Sequence, residues 1–192
     1  MKKESNKRII LVFVGEKLAG KEMSARYLIK KYGFKGYRFS KLLVDILRTL
    51  DLPVTRLNEA NLVGALRERF GGGVLAQAIK NKLQLKKDAR VVIDGLRHPI
   101  EYEILKSLAG FKLIYLTAPV EVRFKRAKSR SEKVGESKFS LADFKREEKL
   151  PTELFIRRLG KKADVKLVND KDLIGLYRQI DEKIMGKKNL KK

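Results

Sequence analysis

Residues 9–14 form an unbroken apolar run, IILVFV, rich in β-branched side chains and ended by Gly15. A run of that length without polar alternation fits a central strand covered on both faces. Beyond it the period changes. Ala25, Leu28, Ile29 and Tyr32 recur at i, i+3, i+4 and i+7, which marks one apolar face of a helix that Gly33 can end. Strand, glycine-bearing loop and helix therefore open the chain.

The same reading continues downstream. Tyr37 and Phe39 flank Arg38 in a short alternating strand, and Ser40 can cap a helix with Leu43, Ile46, Leu47 and Leu50 on its inner face, closed by Pro53. A helix from about Asn58 carries Leu62, Ala65, Leu66 and Phe70, and Gly71, Gly72 and Gly73 break it before a further helical stretch with Leu75, Ile79 and Leu83. Residues 90–94 read as a third strand, and Pro99 starts a helix with Ile100, Ile104, Leu105 and Leu108. Residues 111–117 are a fourth strand, and Pro119 opens a helix to about Arg130. The polar stretch 131–138 has no apolar period and reads as loop or lid. Ser140 and Asp143 form a capping box, a helix through Phe155, Ile156 and Leu159 ends at Gly160, and residues 165–168 are a fifth strand. Asp170 or Asp172 caps the last helix, whose inner face is Leu173, Tyr177, Ile180 and Ile184. Strands alternating with helices predict an α/β fold with a parallel sheet covered on both faces.

Composition adds bounds to this picture. A length of 192 residues suits one domain, 1–192, with a helical insert at about 40–88 and a lid at about 131–139. The absence of cysteine removes disulfides and thiolate chemistry, and the lone His98 cannot build a histidine metal cluster. The basic N-terminus before the run at 9–14 superficially looks like a secretory signal, but the run is too short, and nothing approaches a membrane span of about 20 apolar residues. A cytoplasmic protein is expected. The formal charge of +23 admits three readings: a generally basic surface, a site for phosphorylated ligands, or a nucleic-acid surface.

The chemistry concentrates in a few segments. Gly15, Glu16, Lys17, Leu18, Ala19, Gly20 and Lys21 satisfy G-x-x-x-x-G-K between a strand and a helix, the context that a P-loop requires. Such a loop turns backbone N–H groups toward an anion at a helix N-terminus, and Lys21 can reach the β- and γ-phosphates. Glu22 and Met23 continue the segment. Glu22 stands where a Ser or Thr hydroxyl normally contacts magnesium, and it can reach the metal through water or point outward, while Ser24 comes two positions too late. Asp94 ends the third strand and begins Asp94-Gly95-Leu96-Arg97, which places a magnesium or water-shell ligand and a phosphate clamp at the carboxyl edge of the sheet, or an Asp satisfied by loop amides beside a surface arginine. Arg123, Arg126 and Arg130 share one helical face, either a lid that stabilises a moving phosphoryl group or a solvated basic face. Arg67, before the triple glycine, reads as an acceptor-phosphate ligand or a helix-end cation.

With these residues in place, the chain resembles the nucleoside-monophosphate-kinase group of P-loop proteins, deoxynucleoside monophosphate kinases and dephospho-coenzyme A kinases in particular. The resemblance rests on GEKLAGK at 15–21, YRFS at 37–40, LRERFGGG at 66–73, VVIDGLRHPIE at 91–101, PVEVRFKRAKSR at 119–130 and ADVKLVND at 163–170. It implies a three-layer P-loop NTPase fold with a five-stranded parallel sheet, a helical acceptor insert and a small lid, with ATP and Mg2+ as cofactors. It implies Lys21 on the donor phosphates, Asp94 and Arg97 at the reaction centre and acceptor, and Arg126 and Arg130 in the lid. Ser40 stands where many relatives place an acidic residue near the acceptor. The expected activity is phosphoryl transfer to a small phosphorylated acceptor, a nucleoside or deoxynucleoside monophosphate. Dephospho-coenzyme A, or a non-catalytic nucleotide- or nucleic-acid-binding role, is the alternative, with no membrane partner.

Overall fold

The apolar run at the start of the chain becomes strand β1 (Ile9–Gly15), with residues 10–14 at most 1% exposed. The computed structural model describes residues 8–86, 88–131 and 140–186, with the side chains of Arg130 and Ser131 excepted. After β1 come α1 (Lys21–Tyr32), β2 (Lys35–Arg38), α2 (Phe39–Thr49), α3 (Arg56–Phe70), α4 (Val74–Lys86), β3 (Arg90–Asp94) and α5 (Pro99–Lys106). They are followed by β4 (Phe111–Thr117), α6 (Val120–Ser131), α7 (Leu141–Glu147), α8 (Pro151–Gly160), β5 (Val165–Val168) and α9 (Leu173–Lys183). The strands form a five-stranded parallel sheet in the order β2-β3-β1-β4-β5, so the α/β fold expected from the pattern is present. No helix among the described residues is long and apolar enough to cross a membrane.

The chain divides into two compact units, one of residues up to Val12 with Leu28–Lys112, the other of Phe13–Tyr27 with residues from Leu113 onward. In the first, β2 pairs with β3 so that Lys35 faces Val91 and Arg38 faces Asp94. Its core combines Val91, Val92 and Ile93 of β3 with Leu43 and Leu47 of α2 and Leu75, Ile79 and Leu83 of α4, all buried. β3 and α4 lie where their apolar patterns predict. Two expectations fail here. The alternation through Tyr37 and Phe39 ends early, because Phe39 starts α2 and buries its ring, 4% exposed, beside Gly95. Ser40 consequently sits in the first turn of α2 rather than capping it, and the N-cap is Arg38 without a side-chain bond. The apolar positions of α3 are only partly covered: Thr55 caps that helix by accepting from the Asn58 amide, Leu62 and Leu66 are half-buried, and Phe70 is 70% exposed.

The second unit is organised by β4 and β5, paired with Ile114 opposite Val165 and Thr117 opposite Val168. Asp164 anchors that pairing by accepting from the Leu113 amide at 2.7 Å. Ser140 and Asp143 form the capping box expected at the start of α7, and Asp172 caps α9 by accepting from the Gly175 amide. Tyr27 stacks on Tyr177 with ring centroids 4.0 Å apart, and its hydroxyl donates to Asp181. Leu176 and Ile180 are the buried residues of α9, whereas Leu173, expected inward, is exposed. The lid expected at 131–139 lies outside the described residues apart from Ser131, the last residue of α6.

Candidate functional site

The loop between β1 and α1 is held in shape by close approach and by side chains returning to its own carbonyls. A Cβ on Gly15 would stand 2.0 Å from the Leu116 carbonyl oxygen, so no larger residue fits there. Gly20 has φ +111°, a backbone region that residues with a Cβ rarely enter, and a Cβ there would lie 2.5 Å from Asn169 Nδ2. Leu18 takes a left-handed φ of 64°, and the Ala19 amide donates to Glu16 O at 3.2 Å to close the turn. Lys21 folds back over this loop: its Nζ donates to Gly15 O at 2.7 Å and to Glu16 O at 2.9 Å. The ammonium thus stands at the loop opening on carbonyls that neutralise only part of its charge, where a phosphate oxygen is a stronger partner.

The remaining loop side chains divide by direction. Glu16 turns into the interior, 5% exposed, where the Tyr115 hydroxyl donates to its Oε1 and Thr117 Oγ1 lies at 3.4 Å. Burial, together with the bond to Glu16, pushes the Tyr115 hydroxyl well above the usual phenol range, so it remains a proton donor. The other carboxylate oxygen of Glu16, Oε2, is buried with no hydrogen-bond partner among the described residues. Lys17 pairs with Glu147 at 3.0 Å, and Glu22 pairs with Arg26 one turn along the exposed face of α1. Met23 is half-buried, and Ser24 is fully buried with no hydrogen-bond partner for its Oγ.

Arg126 and Asn169 brace the loop from outside. Arg126 donates to Leu18 O at 3.1 Å, to Asn169 O at 3.2 Å and to Asn169 Oδ1 at 3.0 Å, while Asn169 Nδ2 donates to Ala19 O at 2.8 Å. Asn169 is 2% exposed, and its amide is thereby fixed at both ends. The three arginines expected on one face part company. Arg123 is buried, donates through Nε to Ala118 O, forms a two-pronged pair with Glu148 and lies over the Phe144 ring. It belongs to the packing of α6 on α7, not to a phosphate-facing surface. Arg130 is in the last turn of α6, with its side chain outside what is described.

In the other unit, the carboxyl end of β3 carries its own cluster. Asp94 Oδ2 lies 3.8 Å from Arg38 Nε, and its Oδ1 is buried with no hydrogen-bond partner among the described residues. Arg97 is exposed, and its amide donates to Glu101 Oε2, as does that of His98. Glu101, fully buried, completes a capping box with His98 at the start of α5 and accepts from Arg67 at 2.7 Å. Arg67 is thus held by a carboxylate. No group of three or more His, Cys, Asp or Glu residues able to hold a metal occurs among the described residues.

Sequence reasoning missed Asn169, Arg38, Glu101, Tyr115 and Thr117. Asn169 meets Ala19 across 150 positions and Tyr115 meets Glu16 across 99, so no local spacing announces either contact. Arg38 falls inside the expected strand, and only its register opposite Asp94 reveals its part in this cluster. Glu101 carried a local signal, since it stands three residues after His98 at a helix start, the spacing of a capping box.

Comparisons with known proteins agree with this architecture. No protein-family model matches the sequence. Among curated proteins, a UPF0200/UPF0201 protein of Archaeoglobus fulgidus is 28% identical over 179 residues, covering 91% of this chain and 53% of its own length. A UPF0200 protein of Methanothermobacter thermautotrophicus is 28% identical over 125 residues, covering 64% of this chain and 62% of its own. The chain therefore spans between half and two thirds of the curated relatives that it matches. Among solved structures, a shikimate kinase from Acinetobacter baumannii in complex with shikimate aligns with TM-score 0.58 at 18% identity, covering 96% of both chains. A putative kinase from Chloroflexus aurantiacus gives TM-score 0.56 at 14% identity over 94% of this chain and 97% of its own, and a gluconokinase from Sinorhizobium meliloti 0.50 at 16% over 89% and 88%. At these identities the likeness concerns the fold, and the fold is that of the P-loop kinases.

Proposed function

We propose that the protein transfers a phosphoryl group from ATP to a small acceptor, and that the acceptor is a nucleoside or deoxynucleoside monophosphate. The observation that carries this reading is the loop of Gly15 to Lys21, with Lys21 Nζ poised on the loop's own carbonyls and the backbone braced by Arg126 and Asn169. A loop so fixed binds phosphate without having to be organised by it, which lowers the cost of binding. Arg126 would act on the donor from its place against Leu18, and Arg130, one turn further along α6, would act on the charge that develops in transfer. Arg97, exposed after β3, is the acceptor-phosphate ligand in this reading, with Ser40 on the first turn of α2. Arg67 contributes by holding Glu101, and through it the amides of residues 97 and 98.

Magnesium fits the residues present in a limited way. Mg2+ commonly takes one or two carboxylates, several waters and the substrate phosphates, and Asp94 Oδ1 is a buried carboxylate oxygen in want of a partner. Bound there through water, the ion would supply positive charge opposing the phosphates. Glu22, paired with Arg26, supplies nothing to it in this arrangement.

Two of the solved neighbours are a shikimate kinase with shikimate bound and a gluconokinase, so the acceptor screen includes shikimate and gluconate beside the monophosphates and dephospho-coenzyme A. ADP release measured against that panel should rise with a monophosphate and not with shikimate or gluconate. Release with no member of the panel, despite tight ATP binding, would leave a nucleotide-binding protein and remove the kinase reading.

A further inference from the structure

The edge of the sheet carries a second basic feature, apart from the loop and from the carboxyl end of β3. A groove of about 310 Å³ is lined by Lys35, Gly36, Tyr37 and Arg38 of β2, by residues of α2 and α4, and by Asp88. β2 is the edge strand, so its outer backbone groups have no strand partner. Five cations line this groove, Lys35, Arg38, Lys41, Lys82 and Lys86, against two carboxylates. Both carboxylates are engaged: Asp45 accepts from Lys41 at 2.8 Å, and Asp88 accepts from the Tyr37 hydroxyl at 2.8 Å. Burial and that bond push the Tyr37 hydroxyl up to about 12, so it stays a neutral donor and Asp88 keeps its partner. Lys82 adds its charge to that of Lys41 on Asp45, while Lys35 and Lys86 have no hydrogen-bond or ion-pair partner among the described residues. Five cations against two carboxylates leave the concavity with a surplus of three positive charges, an arrangement that costs repulsion unless an anion fills it.

We propose that this groove binds the phosphodiester backbone of a single-stranded nucleic acid. Its cations stand along an open groove rather than around a closed pocket, which suits a strand passing through more than a small ion held from all sides. The formal charge of +23 draws a polyanion to the molecule, and the groove gives it a register. The site lies outside the P-loop and would function in the absence of ATP.

Fluorescence anisotropy with a labelled oligouridylate of about 20 nucleotides, titrated in rising salt, tests the site. Charge reversal at Lys35→Glu, Lys82→Glu and Lys86→Glu together should weaken binding at least about tenfold near 0.1 M salt and lower the log–log salt slope by about two. A control with the same charge change, Lys161→Glu, Lys162→Glu and Lys166→Glu, all exposed, should lose clearly less. Lys21→Ala should bind the strand as the wild type does, which keeps this result separate from the nucleotide site. Thermal melts of both triple variants show that they are folded. Equal loss in the two triple variants, no binding by the wild type, preference for a duplex competitor, or displacement of the strand by equimolar uridine monophosphate would each overturn the proposal.

Discussion

The loop of Gly15 to Lys21 and helix α3 both belong to segments singled out by the sequence, yet they are held in opposite ways. The loop is fastened from many directions: Glu16 to Tyr115, Leu18 to Arg126, Ala19 to Asn169 and Lys17 to Glu147. Helix α3 buries no side chain, leaves Leu57 and Phe70 about 70% exposed, and is fixed near its end by the pair of Arg67 with Glu101. The contrast teaches that the loop proposed to bind phosphate is fastened into its unit by its own contacts, whereas α3 has only half-buried apolar positions, its cap and the pair with Glu101 to hold it. Segments with few buried contacts open at lower cost, so α3 belongs to the least stable part of its unit.

Substitutions can break this contrast, and their effects should fall in a definite order. Gly15→Ala should be the most damaging, because the new Cβ would meet the Leu116 carbonyl at 2.0 Å and a strand backbone must move. A loss of about 4 kcal/mol, read from urea unfolding, is expected, and a loss below about 1 kcal/mol would mean that the loop is not confined.

Arg123→Ala should come next, at about 3 kcal/mol, since it strips the two-pronged partner from Glu148, although Arg157 remains. Burial by itself would raise Glu148, but bonding to Arg123 and the charges of Arg123 and Arg157 hold it below its ordinary 4.5. Because the folded value is lowered, this stabilisation is present above pH 4.5 and is lost as the pH falls through the folded value. Wild-type thermal melts should therefore fall below pH 4.5, and those of Arg123→Ala should fall less steeply.

Arg67→Ala should cost about 1–2 kcal/mol, less than Arg123→Ala, because Arg67 is partly exposed while its carboxylate is not. Hydrogen exchange should quicken over α3 and the start of α5 with the loop before α1 unchanged. Phe70→Ser should be nearly silent, within about 0.5 kcal/mol, since the ring is largely in water. A loss of about 2 kcal/mol there would show that α3 has a buried face after all.

What the sequence made legible follows from the range of each interaction. Strands β3, β4 and β5 appeared with their observed ends, and the capping box at Ser140 was read directly, because apolar runs and caps are local. The P-loop was read for the same reason. Side-chain direction was legible only where the helical period decided it. The period could not tell that Arg123 would find Glu148 while Arg126 found Leu18, since the two are three residues apart and differ only in distant partners. On α3 the apolar positions Leu62 and Leu66 are half-buried and Phe70 is exposed, since periodicity states what a helix can bury rather than what it does. Asn169 was invisible because its role is to join Ala19 to Arg126, and each of those partners is remote in sequence.

Isothermal titration of ATP into wild type and Lys21→Ala tests the central claim most directly. Lys21 Nζ is held on the Gly15 and Glu16 carbonyls and its side chain is not part of the buried core, so its removal should weaken triphosphate binding more than it disturbs the fold. A charged hydrogen bond of about 1.5–3 kcal/mol corresponds to a loss of roughly 10- to 150-fold in affinity. That loss, with an unchanged melting temperature, is the predicted result. Equal affinity in the two proteins, or no measurable ATP binding by the wild type, would contradict the assignment of this loop as the phosphate site.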